Sequence, residues 1–216
     1  MRTLYTYYRS SAAFRVRIAL NLKNLSCEQV AVWLPAGEQR APGYTGVNPQ
    51  ALVPTLVDGE LRLTQSMAIV EYLDELHPAP ALLPGSAGDR ARIRALAQLV
   101  ACDIHPINNL RVLGYLKDEM GQPQAAVDAW YRHWCTEGLG AYERELAFGA
   151  QGRFSQGDTP TLADLCLVPQ VFNAKRFDVD LGAFPRLMRV FDACMALPAF
   201  DEAQPARQPD AARAAT

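Results

Sequence analysis

Ser10 and Ser11 stand between Arg9 and a run in which Phe14, Ile18, Leu22 and Leu25 recur at helical spacing. A strand-like stretch, LYTYY, precedes them. Serines at such a handover have an ordinary use. They accept hydrogen bonds from backbone N–H groups that a helix start leaves without partners. The same place offers a second use, because a helix N-terminus carries partial positive charge and free donors and so favours a thiolate or a carboxylate. A hydroxyl that donates to a bound thiolate lowers its pKa, and Arg9 adds a full charge beside it. One serine can cap while the other faces a ligand.

Other stretches raise similar choices. Gln65-Ser66 precedes a second helical run, MAIVEYLDEL, where Ser66 suits either a cap or a carboxylate cradle. VPTL puts Pro54 in a strand-like run, which fits an edge strand or a cis proline that exposes the backbone of Val53. CDIHPINNLR gathers Asp103, His105, Asn108, Asn109 and Arg111 around Pro106, a density of polar groups that suits a site as well as a structural role. Lys175 and Arg176 lie near a helix end, where complementing the dipole is the simpler use.

These residues need a frame. From residue 1 to about 78 the order is β-α-β followed by β-β-α, a small sheet with helices packed on it. The first helix has Arg17, Asn21 and Asn24 opposite its apolar face, and Asp58-Gly59 joins the last two strands as a hairpin. The Pro- and Gly-rich stretch HPAPALLPGSAGD then breaks the pattern. Beyond it Ile93, Leu96, Val100, Ile104 and Ile107 form one apolar stripe. Further helices are expected over 123–148, from Thr161 with Asp164 in capping-box spacing, and near 185–197. The expected domains are 1–80, a linker at 81–88, a helical domain at 89–205, and a loose tail at 206–216 that has little apolar bulk.

Composition narrows the function. Half of the 216 residues are apolar and the net charge is −2, which argues against a nucleic-acid partner. No apolar run would span a bilayer, and no signal peptide is expected. The five cysteines are scattered, and neither they nor the three histidines show metal-ligand spacing. A reducing, cytoplasmic setting without a metal follows.

Taken together, YYRSSAAFRVRIALNLK, NPQALVPTLVDG, LTQSMAIVEYLDE, CDIHPINNLRVL, GDTPTLADLCLVPQVFNAKRFDVDL and the late RQPD resemble the zeta class of glutathione transferases, in order and over nearly the whole chain. That class includes maleylacetoacetate isomerases and bacterial maleylpyruvate isomerases; HPINN resembles the latter branch. The resemblance implies an α/β thioredoxin-like domain with a four-stranded mixed sheet, an all-α C-terminal domain, a homodimer, and glutathione as cofactor. It implies cis–trans isomerisation of a maleyl keto acid in aromatic catabolism, by thiolate addition, bond rotation and elimination. General transferase or α-haloacid dehalogenase chemistry is the alternative, with a non-catalytic binding module behind it.

The resemblance also implies roles. Ser10, Ser11 and Arg9 would be catalytic, with Ser10 at the cofactor sulfur and Ala12 completing the cradle. Val53, before a cis Pro54, would pair its backbone with the cysteinyl unit; Gln65 and Ser66 would hold the γ-glutamyl carboxylate, and Gln39 the glycine end. Asp103, His105, Asn108, Asn109, Leu110 and Arg111 would close the cofactor site, while Arg9, Arg111 and Arg176 would bind the carboxylates of a small dicarboxylic substrate. One departure stands out: the maleylacetoacetate isomerases typically read Ser-Ser-Cys where this chain reads Ser10-Ser11-Ala12. No thiol of the chain can act there, and the nucleophilic sulfur would be the cofactor's alone.

Overall fold

A computed structural model describes residues 1–149 and 152–214. The chain divides into two compact units. One comprises residues 1–82 and the segment from Met195 on; the other is Leu83–Cys194.

In the first unit β1 (Arg2–Thr6) runs parallel to β2 (Glu28–Ala31) and antiparallel to β3 (Thr55–Asp58), which pairs in turn with β4 (Leu61–Thr64). The order β2-β1-β3-β4 is the mixed sheet of a thioredoxin-like domain. Helix α1 (Ser11–Leu22) is the parallel crossover between β1 and β2. A short α2 (Pro42–Thr45) precedes β3, and α3 (Ser66–Leu76) follows β4 and packs on α1. Leu4, Phe14, Ile18, Leu56, Ile69 and Leu73 are buried to within about a hundredth of their surface, so the apolar positions of sheet and helices meet in one core. Gly59 has φ +62 beside Asp58, the left-handed backbone that the tight β3–β4 turn requires.

Pro54 resolves differently from an edge strand. The Val53-Pro54 bond is cis, and the strand begins only at Thr55, in the interior of the sheet. The proline therefore removes no donor from the ladder.

The helical unit holds α4 (Ala87–Gln98), α5 (Leu110–Gly114), α6 (Gln124–Glu145), α7 (Leu162–Arg176) and α8 (Pro185–Met195), which ends at the unit boundary. Helix α4 starts with a capping box formed by Ser86 and Asp89. It then widens into a π-helical turn over Leu99–Ile104, and a second such turn, Tyr115–Glu119, follows α5. Helix α7 is buried from Leu162 to Val171. Its start uses the expected box: Thr161 and Ser155 backbone N–H groups donate to the Asp164 carboxylate at 2.7 and 2.9 Å. Burial raises the Asp164 pKa, and those hydrogen bonds oppose the rise.

The last residues correct two expectations. The helical domain does not run to 205, and 206–216 is not loose as far as Ala214. From Met195 on, the chain returns to the first unit. Helix α9 (Pro198–Asp201) packs on α1, and 3-10 turns follow at Pro205–Arg207 and Pro209–Ala214. The attachment is polar, which apolar bulk does not measure. Tyr8 N–H donates to Asp210 at 2.8 Å, and the Gln208 amide donates to the Glu202 and Gln204 carbonyls. Arg213 lies 4.9 Å over the Trp33 ring.

Candidate active site

Ser10 is the N-cap of α1. Its φ and ψ are −67 and 115, extended rather than helical, and its hydroxyl oxygen accepts from the Ala13 N–H at 3.2 Å. A hydroxyl that accepts one bond still has its proton to donate. Ser10 is half-buried and reachable, whereas Ser11 lies inside the first turn and is buried. Ala12 is half-buried beside them. Arg9 is exposed, with its guanidinium carbon 5.1 Å from the Tyr8 ring centre.

The β1–α1 loop is held from behind by Arg17. This residue was expected on the polar face, yet only 2% of its surface is exposed. Its guanidinium donates to the Thr6 hydroxyl at 3.1 Å, the Tyr8 carbonyl at 3.0 Å and the Ala203 carbonyl at 3.0 Å. Burial lowers its pKa to about 9, and the Asp210 carboxylate offsets part of that drop. Asp210 and Arg17 thus tie the two residues before Arg9 to the returning segment. Asp210 has no signal in the sequence, because a role that depends on a contact 202 residues away leaves no local pattern.

The second helix start differs from the first. Ser66 does not cap α3; it is the first helical residue, and Gln65 is the N-cap. Gln65 has φ +69 and ψ 112, a strained backbone for a residue with a side chain. Its side chain makes no cap bond and instead donates to Gln50 at 2.9 Å. Ser66 is buried, and its oxygen accepts from Arg15 at 3.2 Å. Val53 is nearly buried among Tyr7, Tyr8, Val32 and Tyr44. Gln39 has a buried side-chain oxygen without a partner.

The sequence-selected residues of the helical unit run from the end of the first π-helical turn to the start of α5, with Arg176 at the end of α7. Asp103 lies within that turn and is exposed; His105 follows it and is half-buried. Asn108 is buried, donates to the Tyr131 carbonyl at 3.5 Å and leaves its oxygen unpartnered. Asn109 caps α5 by accepting from the Arg111 N–H at 3.1 Å. Leu110 and Arg111 are exposed. Arg176, the last residue of α7, is exposed, with its guanidinium 5.0 Å over the Phe177 ring. That ring stacks on Tyr131 at 3.7 Å, so Arg176 and the Asn108 stretch converge on one tyrosine. Within each unit some of the selected residues gather: Arg9 to Ala12 at one helix start, Gln65 and Ser66 at another, and Asn108 with Arg176, through Phe177, about Tyr131.

The thiols are placed for packing. Cys135, Cys166 and Cys194 are buried, and burial raises Cys27 and Cys135 to about 11 and Cys194 further. Cys102 alone is exposed. Among the described residues no His, Cys, Asp and Glu cluster could hold a metal ion.

The starts of α1 and α3 each present a serine hydroxyl and helix N–H groups that suit an anion. Residues 2–75 match the family model of the glutathione S-transferase N-terminal domain, and residues 115–198 that of its C-terminal domain. A probable maleylacetoacetate isomerase from Vibrio cholerae is 50% identical, covering 96% of this chain and 97% of its own. A holo structure of maleyl pyruvate isomerase, described as a bacterial glutathione S-transferase in the zeta class, superposes with a TM-score of 0.94 at 51% identity, over 96% of this chain and 99% of that one. A maleylacetoacetate isomerase from Methylobacterium extorquens AM1, with bound malonate and GSH, gives a TM-score of 0.94 at 43% identity, over 97% and 99% of the two chains.

Proposed function

We propose a function from one premise: the chain belongs to the zeta class of the glutathione S-transferase family. It is a glutathione-dependent cis–trans isomerase that converts a maleyl keto acid, maleylpyruvate or maleylacetoacetate, into its fumaryl isomer. The observation that carries this reading is the α1 start, where Ser10 caps the helix and keeps a hydroxyl proton for an anion, in a chain half identical to such isomerases over nearly its full length.

The residues fit a tripeptide thiol. Gln39 offers a buried oxygen without a donor, and Ser66 offers a hydroxyl backed by Arg15. Once bound, glutathione supplies the thiolate that adds to the cis double bond, leaves a single bond free to rotate, and departs from the trans product. The protein has to hold the charges. Ser10, with Ser11, Ala12 and the α1 N-terminus, stabilises the thiolate. Val53, before Pro54, receives the cysteinyl unit along its backbone. Gln65 and Ser66 take the γ-glutamyl carboxylate, and Gln39 the glycine end. Asp103, His105, Asn108, Asn109 and Leu110 complete cofactor binding. Arg9, Arg111 and Arg176 meet the carboxylates of the substrate, for which guanidinium has the matching fork. The bound malonate of the Methylobacterium enzyme is a dicarboxylate beside GSH, which supports a diacid substrate.

The chain works as a homodimer in the cytoplasm. Its scattered cysteines, none of them in a disulfide, support a reducing compartment, and no helix of the described residues is long and apolar enough to cross a membrane. The test follows both maleyl keto acids by ultraviolet absorbance, with and without glutathione. Isomerisation that requires glutathione and leaves free thiol constant is expected; stoichiometric loss of thiol would replace isomerase with transferase or dehalogenase.

A further inference from the structure

Helix α1 and its C-cap contribute three buried cations, and two of them have the partners a buried charge requires. Arg17 donates to the Thr6 hydroxyl and to several carbonyls, including those of Tyr8 and Ala203. Lys23 pairs with Asp74 at 2.8 Å and donates to the carbonyls of His77 and Pro80. Arg15 does not follow them. It is 2% exposed, and among the described residues its guanidinium donates only from Nη1, to the Ser66 oxygen at 3.2 Å, while Nε and Nη2 are buried without partners. Among the described residues it has no carboxylate. The fold therefore holds an uncompensated charge against the start of α3, a helix whose N-cap side chain makes no cap bond.

The direction of the Arg15–Ser66 bond matters. Guanidinium has donors and no acceptor, so Ser66 can only accept from it. The hydroxyl proton of Ser66 is left to point elsewhere. An anion arriving at the α3 start would meet that proton and the nearby positive charge together.

We propose that Arg15 is a positioning residue for the cofactor's γ-glutamyl carboxylate: it orients the Ser66 hydroxyl toward that carboxylate and acquires in it the counter-charge the free protein does not provide. The inference rests on glutathione being the cofactor and adds Arg15 to the residues that select it. A thiol peptide without that carboxylate leaves Arg15 uncompensated and binds weakly. Arg15 does not approach the sulfur in this scheme, so its loss shows in affinity and KM rather than in kcat.

The test compares glutathione with 4-aminobutyryl-cysteinyl-glycine, which lacks only the γ-glutamyl carboxylate. Binding is measured by calorimetry, and melting temperature without ligand, for the wild type, Arg15→Met and Arg15→Lys. The wild type should prefer glutathione by roughly 30-fold or more, the loss expected when a buried charge goes unpaired. Arg15→Met should lose most of that preference, keeping only what Ser66 and the α3 start supply on their own. It should melt no lower than the wild type, since an apolar side chain replaces an unpaired buried charge. Arg15→Lys should keep part of the preference, and kcat at saturating glutathione should hold in both variants. A wild type that does not bind glutathione overturns the cofactor reading as well. A wild type that binds it, with a variant that keeps the full preference, overturns only the role of Arg15. Should Arg15→Met fail to fold, Arg15→Lys with an undiminished preference is the refuting result.

Discussion

Replacing Ser10 separates its two uses. As N-cap it accepts from the Ala13 N–H at 3.2 Å, the long end of the normal range. Ser10→Ala removes that acceptor and should cost about 1 kcal/mol of stability. If the same hydroxyl donates to the cofactor sulfur, the charged hydrogen bond adds about 1.5–3 kcal/mol to thiolate stability. At about 1.4 kcal/mol per pKa unit, its loss raises the thiol pKa by roughly one to two units. Alanine alone confounds the two effects, so Ser10→Asp is the decisive variant. Aspartate caps a helix as well as serine, but it offers no proton and sets a negative charge against the thiolate. Both variants should raise the pKa of bound glutathione, read from ultraviolet thiolate absorbance, and both should lose turnover near neutral pH. Ser10→Asp should do so without losing melting temperature. A stable Ser10→Asp protein with the wild-type titration and turnover would show that Ser10 only caps α1, and Ser11 would inherit the sulfur.

Other outcomes can be stated more briefly. Arg111→Ala and Arg176→Ala should each lower kcat/KM by about 2–5 kcal/mol on a maleyl diacid and by much less on the matching monoacid; equal, small losses on both would leave them as helix charges. A chain with all five cysteines replaced by alanine should keep its isomerase activity, while cavities at Cys135, Cys166 and Cys194 lower its melting temperature; inactivity with intact glutathione binding would implicate the exposed Cys102. Hydrogen bonds from the Ser86 hydroxyl and backbone N–H lower the Asp89 pKa, so its contribution is present above the ordinary carboxylate range and is lost as pH falls through the depressed folded value. The stability gap between the wild type and Asp89→Asn should therefore be full at pH 7 and shrink in acid, and a gap that widened in acid would contradict that sign.

Local signals were read where local chemistry decides the structure. The Ser10 cap, the Asp58-Gly59 hairpin and the Thr161–Asp164 box each depend on residues within a few positions, and each formed. Ser66 misled because a serine before an apolar run looks the same one position inside the helix as at its cap. Arg17 misled for a different reason. Periodicity places a residue on a face, but it does not say what the rest of the chain brings to that face. Here Arg17 lies over the Phe14 ring, on a side of α1 that meets carbonyls of the β1–α1 loop and of Ala203, so a cation is buried where solvent was expected. The stripe ending at Ile107 met a similar limit: it is buried through Ile104, but the π-helical turn changes the phase before Ile107.

The return of the chain to Tyr8 has a consequence for synthesis. Residues 1–82 leave the ribosome first, yet the acceptors at Ala203 and Asp210 lie beyond the 112 residues of the helical unit. At ordinary elongation rates of about 5–20 residues per second, that separation is roughly 6–22 s. For that interval the nascent sheet has its strands and α1, but the Tyr8 N–H and one arm of Arg17 lack their final partners. The loop that carries Arg9 and Ser10 is therefore among the last parts of the protein to be fixed, although it is among the first to be made. A ribosome stalled within α8 would expose a sheet domain whose loop bearing Arg9 and Ser10 is still open to chaperones and proteases.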